Sequence, residues 1–237
     1  MLSLSIVLPA HNEEATVATV VEQVSTVAQE LGIDYEIILV NDGSTDRTGE
    51  IARELALRIP NLRLIEHFPS RHYGGVLKAG FAEATKDLIA FFPTDQQFVF
   101  GEITRLLDKI GGADIVSGYR ANRQDDWIRR LNGWGWNLVV WMLFGYLCRD
   151  IDCGFKLFRR EILDRVKLVT DWAPIDTELL AGAKVRGYCI AEVEVTHLPR
   201  PAGKATGADF RVIAMAFRDL PRFRLRLNRE LREERER

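Results

Sequence analysis

Three short clusters in this 237-residue chain carry side chains that could hydrogen-bond a nucleotide, ligate a cation or balance a phosphate. The first is Pro9-Ala10-His11-Asn12-Glu13-Glu14. The second is Val40-Asn41-Asp42-Gly43-Ser44-Thr45-Asp46, and the third is Phe91-Phe92-Pro93-Thr94-Asp95-Gln96-Gln97. Taken singly, the first two could be helix starts, since Asn12 and Thr45 suit N-caps and acids are favoured in a first helical turn. Taken together, two acidic turns facing one crevice suit the base and ribose of a nucleotide. In the third cluster, Asp95 and Gln97 at spacing two could offer two oxygens to Mg²⁺ or Mn²⁺, which take one or two carboxylates plus substrate phosphates. The alternative is a turn in which Asp95 is only a cap. The first turn lacks Gly-x-Gly-x-x-Gly and the chain lacks Gly-Lys-Ser/Thr, which sets aside dinucleotide oxidoreductases and P-loop enzymes.

The elements that must position these clusters are legible as alternating runs. Leu4–Pro9, Tyr35–Val40, Leu62–Ile65, Leu88–Phe92 and Asp114–Ser117 read as strands, being apolar and β-branched. Val17, Val20, Val21, Val24, Val27, Ala28 and Leu31 recur at helical spacing, with Gly32 closing that helix. Thr45–Ile59 repeats the pattern and Pro60 stops it. Strand–helix alternation implies right-handed crossovers and a parallel sheet, whose ligands bind at the carboxyl ends of the strands. All three clusters fall there. Further along, Trp127–Leu147 reads as a helix, Gly154–Phe158 as a strand, Ile175–Val185 as a helix, Tyr188–Val195 as a strand and Asp209–Leu220 as a helix. The expected fold class is α/β, with a mostly parallel central sheet and helices on both faces in a single domain.

Composition narrows the classes. The chain is 47% hydrophobic and 28% charged, as expected of a globular protein rather than a disordered or fibrous one. A formal net charge of -2 excludes a globally basic nucleic-acid binder. Cys148, Cys153 and Cys189 are odd in number and lack zinc-site spacing, which suits a reducing compartment. No signal-peptide pattern opens the sequence, and the most apolar window, Trp134–Cys148, is shorter than the about 20 apolar residues a spanning helix needs. The expectation is a cytoplasmic protein.

Pro9-x-x-Asn12-Glu13, Asn41-Asp42-Gly43-Ser44-x-Asp46 and Asp95-x-Gln97, in this order, resemble the family 2 glycosyltransferases of the GT-A fold. Ser117-Gly118-Tyr119-Arg120 resembles that family's Gly-Ser-Arg element. Asp152-Cys153-Gly154-Phe155-Lys156-Leu157-Phe158 resembles its Asp-x-Ser-Gly-Phe-x-x-Phe segment, and Ile190–Val195 with Arg200 and Gly203 resembles its late strand and basic loop. The likeness extends over roughly residues 1–215 and is nearest to the polyprenyl-phosphate (dolichol-phosphate-like) hexosyltransferases. It implies a GT-A domain over 1–217, with a nucleotide-sugar half to about 118 and an acceptor half from about 119, followed by a charged tail, 218–237.

The resemblance also implies roles. Pro9, His11, Glu13, Asp42 and Asp95 would line the nucleotide pocket, and Asp95 with Gln97 would hold Mg²⁺ or Mn²⁺ against the diphosphate. Arg120, with Arg129 or Arg130, would bind the acceptor phosphate, while Arg200 and Lys204 would close over the diphosphate. Asp95, Arg120 and Arg200 would thus carry catalysis, an inverting transfer of hexose from a nucleotide diphosphate sugar to a lipid-linked phosphate. Pro93 stands where the family has its first metal carboxylate, and Asn41 stands where it has a second acid. Pro93 would leave the metal one carboxylate fewer and more weakly bound, and it favours one rival, a sugar-nucleotide-binding protein without catalysis. A soluble acceptor is the alternative to the lipid.

Trp127, Trp134, Trp136 and Trp141 lie in one segment beside Arg129 and Arg130. That is the composition of a core helix or of a helix in a membrane interface. With a lipid acceptor the second gains weight, giving peripheral contact at the inner membrane face. The tail carries eight Arg and five acids from Arg218 onward, expected as a solvated helix.

Overall fold

The computed structural model describes residues 2–121, 127–172, 174–201 and 210–236, and their side chains except at 127–132 and 210–217. Among the described residues, seven strands form one sheet: β1 (Ser3–Ala10), β2 (Asp34–Asp42), β3 (Leu62–His67), β4 (Leu88–Phe91), β5 (Ile115–Arg120), β6 (Lys156–Arg159) and β7 (Ile190–Val195). Their order across the sheet is β3-β2-β1-β4-β6-β5-β7. Every pairing is parallel except those of β6, which runs antiparallel to both β4 and β5.

Among the described residues, eight α-helices surround the sheet: α1 (Val17–Glu30), α2 (Thr48–Arg58), α3 (His72–Ala82), α4 (Ile103–Ile110), α5 (Trp127–Phe144), α6 (Ile162–Arg165), α7 (Ile175–Val185) and α8 (Phe210–Arg235). Both sheet faces are covered, which is why the strands read as unbroken apolar runs. Leu4, Ile6 and Leu8 point into one core with Val20, Val24, Leu55 and Leu106. Val7, one residue out of phase, points into the other with Val76, Leu77, Leu180 and Leu220. The expected α/β architecture is therefore the observed one.

Local outcomes follow the chemistry of each boundary. Gly32 ends α1 in the left-handed region at φ 59°, its N–H donating to Gln29 O. α7 spans the expected Ile175–Val185. α5 is shorter than expected, stopping at Phe144 before Gly145. Neither expected cap acts as one: α1 begins after Thr16 and α2 after Arg47. Helix α8 runs on through Pro221, joining the helix expected over Asp209–Leu220 to the tail expected as a helix. Proline removes one helical N–H, but Leu220, Phe223 and Leu227 are buried on both sides of it and hold both halves against the core. Farther on, Arg186 pairs with Glu230 and Glu234, and Arg226 with Glu178, so the tail is docked rather than freely solvated.

Candidate active site

β1 lies between β2 and β4, so the crevice at the carboxyl ends of β1 and β4 is where the strand order changes direction. The turn after β1 and the turn after β2 are tied to each other. Asn12 donates its N–H to Ser44 Oγ (2.9 Å) and its Oδ1 accepts from Thr45 N (2.8 Å). Glu13 N donates to Thr48 Oγ1 (2.8 Å), Glu14 N to Asp46 Oδ2 (3.2 Å), and Arg47 N to Glu14 Oε2 (3.0 Å). Asn12 itself sits at φ 56°, a conformation Asn tolerates better than most residues. The residues expected as caps thus act as staples between turns.

The expected nucleotide residues come together around this frame. His11 Nδ1 is 2.7 Å from the Asp42 carbonyl and its Nε2 is 3.2 Å from Asn12 Nδ2, consistent with a ring protonated at Nδ1. Pro9 O accepts from Thr94 Oγ1 (2.6 Å), joining the β1 and β4 ends. Asp42 is buried, and its carboxylate accepts from Ser70 Oγ (2.6 Å) and Arg71 N (2.7 Å). It therefore shapes the β3–α3 loop, a partner that lies 28 residues away and carries no motif of its own.

Glu13 and Asp95 face each other across the crevice with Arg200 between them. Arg200 Nη2 pairs with Glu13 Oε1, and its Nη1 lies 3.8 Å from Asp95 Oδ2. Burial raises the Glu13 carboxyl above its ordinary value, against the pull of Arg200. Gln97 N donates to Asp95 Oδ1 (3.2 Å), while Gln97 Nε2 donates to Leu198 O (3.2 Å) and Gln97 O accepts from Leu198 N (2.8 Å). The loop after β7 is thereby fastened to the loop after β4. Pro93 packs on Gly154: a Cβ there would stand 2.5 Å from Pro93 Cγ, so position 154 requires glycine. Among the described residues, no three His, Cys, Asp or Glu side chains come together as a metal cage.

Because β6 is antiparallel, the loop before it reaches the same edge as Asp95. Lys156, opposite Phe91 and Ser117 in register, is 1% exposed. Its Nζ pairs with Asp176 Oδ1 (2.7 Å), and Asp176 Oδ2 accepts from Tyr73 Oη (3.0 Å). Burial opposes charge on Lys156, but Asp176 together with Cys153 and Cys148 outweighs it and its pKa rises. Arg120 forms a two-pronged pair with Asp150, Nε to Oδ2 at 2.6 Å and Nη2 to Oδ1 at 2.7 Å, both side chains nearly buried. It is placed as a clamp between β5 and the loop before β6, not as an open hand for a phosphate. The side chains of Arg129 and Arg130, and Lys204 altogether, lie outside the described residues.

Desolvation, with Asp176 and Asp150 nearby, raises the carboxyl of Asp152, in the same loop, above its ordinary value, although the side chain is exposed and water screens much of that effect. A carboxyl that holds its proton more tightly folded than unfolded makes stability fall as pH rises above about 4. Asp152→Asn should flatten that part of the stability curve. A carbon-13 NMR titration should show the Asp152 carboxyl midpoint above the ordinary Asp value, and Asp176→Asn should lower it. A midpoint near the ordinary Asp value, or an unchanged curve, would contradict this assignment.

A family model described as glycosyl transferase family 2 matches residues 5–167. Among solved structures, glucosyl-3-phosphoglycerate synthase from Mycobacterium tuberculosis is similar to this chain with a TM-score of 0.69 and 20% identity, over 94% of this chain and 80% of that one. Its complex with uridine diphosphate gives a TM-score of 0.68 and 20% identity, over 95% and 80%. Its complex with Mn²⁺, uridine diphosphate and phosphoglyceric acid gives 0.65 and 22%, over 84% and 72%. At these identities the likeness is one of fold. With the family match covering most of the sheet and the strand-end turns, the chain belongs to glycosyl transferase family 2 and is a nucleotide-sugar glycosyltransferase of the GT-A fold.

Proposed function

We propose that this glycosyltransferase moves a hexose from a uridine or guanosine diphosphate sugar to a lipid-linked phosphate of the polyprenyl type, working in the cytoplasm at the inner membrane face. The donor half of the reading rests on one observation, the convergence of Glu13, Asp95 and Arg200 between the ends of β1 and β4. Arg200 is positioned to balance the diphosphate as charge develops on the leaving group. A divalent ion fits this site only together with the donor. Asp95 offers one carboxylate and Gln97 an amide oxygen, Pro93 offers nothing, and the diphosphate oxygens would complete the shell. The ion supplies charge stabilisation to the leaving diphosphate when bound. Inversion follows from direct attack of the acceptor oxygen on the anomeric carbon.

The lipid half rests on α5. Trp136 and Val140 turn inward, while Trp134 (63% exposed), Leu138, Trp141 (56%) and Met142 (64%) form an apolar strip facing out. Alongside it, Arg224 stacks over the Phe144 ring at 5.5 Å and Leu225 is exposed. Between Arg218 and Arg229, α8 carries five Arg and one acid, Asp219. Exposed tryptophans beside arginines suit an anionic bilayer surface. Among the described residues, no helix is long and apolar enough to cross a membrane. A second reading, a soluble phosphate acceptor, is favoured by the phosphoglyceric acid bound in the tuberculosis enzyme.

The test is turnover with Mn²⁺ and either UDP-glucose or GDP-mannose, with polyprenyl phosphate in anionic vesicles or with 3-phosphoglycerate. Release of nucleoside diphosphate stimulated by the lipid, with co-sedimentation lost in a Trp134, Trp141 double alanine variant, is the expected result. Stimulation by phosphoglycerate alone would establish the second reading. Stimulation by neither would overturn both.

A further inference from the structure

Arg200 is engaged before any donor arrives. Its guanidinium pairs with Glu13 and approaches Asp95, and all three side chains are largely shielded from water. Glu13 is held from behind, its Oε2 accepting from Thr16 Oγ1 (3.0 Å) and its backbone O accepting from Thr16 N and Val17 N. Arg200 is held from the other side, since Leu198, two residues earlier, makes two hydrogen bonds to Gln97. A diphosphate that takes Arg200 must therefore break a shielded ion pair. It leaves the Glu13 carboxylate without its counter-charge and adds its own negative charge beside Asp95. Removing one partner of a buried pair is costly, and a cation at Asp95 is what would offset it.

We infer that Glu13 is a positioning residue: it stores Arg200, and it makes release of that arginine to the donor diphosphate depend on the divalent ion. The inference rests on the donor reading above and concerns how that site is controlled. It gives Glu13 a role opposite to pocket lining. If Glu13 touched the nucleotide, removing its charge would weaken binding under all conditions. If it stores Arg200, removing its charge strengthens binding of the diphosphate when the cation is absent. Cation and diphosphate are then coupled by more than their direct contact, a coupling of the ordinary allosteric size.

The experiment is isothermal titration of UDP, GDP and inorganic pyrophosphate into wild type and Glu13→Gln, each with Mn²⁺ and with a chelator. Gln keeps the shape and can still accept from Thr16, and equal melting temperatures would verify the fold. In wild type, Mn²⁺ should tighten binding strongly. In Glu13→Gln the metal-free affinity should rise on the order of tenfold, shrinking the ratio between the two conditions by the same factor. Arg200→Gln in the Glu13→Gln background should abolish that gain, and Glu13→Asp should restore part of the wild-type ratio. An unchanged ratio, or affinity lost equally with and without Mn²⁺, would overturn the storage role while leaving the donor reading intact. Wild type that binds none of the three with Mn²⁺ would overturn the donor reading and this inference with it.

Discussion

Asp95→Asn should lower turnover by about 10²–10³-fold, the range seen when one preorganised charge-stabilising group is removed from a site. Asp95 is the carboxylate the β4 turn delivers into the crevice, because Pro93 has no side-chain oxygen and the Thr94 hydroxyl is committed to Pro9 O. Asn retains an oxygen to accept from Gln97 N, so the turn should persist and the protein should melt normally. What is lost is the charge that faces Arg200 and would hold the divalent ion. Steady-state kinetics at saturating Mn²⁺, with nucleotide titration as a second readout, would check it. Wild-type turnover in the variant, or full turnover of wild type in excess chelator, would show that cationic side chains suffice.

The second large effect is on stability. Lys156→Met should destabilise the fold by about 3–5 kcal/mol, because Asp176 would be left buried without its counter-charge. Against a total of about 5–15 kcal/mol for a domain, that change is severe. The pair joins β6 to α7, and through Tyr73 to α3, beneath the loop that carries Asp152 and Gly154. Replacing both partners, Lys156→Met with Asp176→Leu, should recover most of the loss, as an apolar pair fills the site without stranding a charge. Urea unfolding of the two single variants and the double would measure the coupling directly. Additive losses would show that the pair is not a unit.

Residue type made β1, β2 and α7 readable, because β1 and β2 are near-continuous apolar runs and α7 is buried along most of its length. Helix α3 was not delimited, since Gly74, Gly75 and Gly80 interrupt it and read as loop, yet those residues are buried against neighbouring elements. Helix α4 had the spacing Ile103, Leu106, Ile110 but is only two turns long. At the site, the strand-end residues were legible because sheet topology brings them together whatever their distant partners. The pairings were not. Arg120 with Asp150 spans 30 residues, and Arg200 with Glu13 spans 187. An arginine in a motif shows only that a charge is available, and the fold decides which carboxylate receives it. The same holds for the tryptophans, where buried Trp136 lies two positions from exposed Trp134 and five from exposed Trp141.

The staples between the β1 and β2 turns have a consequence for how the crevice responds to a ligand. Asn12, Glu13, Glu14, Ser44, Thr45 and Thr48 are locked to one another by backbone and side-chain bonds. The conformational entropy of that wall is therefore lost when the chain folds, and a nucleotide arriving there has little left to order. The ion pairs of Arg200, whose partners must change, are where binding does its reorganising. The heat and entropy of donor binding should accordingly follow substitutions at positions 13, 95 and 200 far more closely than conservative changes at 44 or 45.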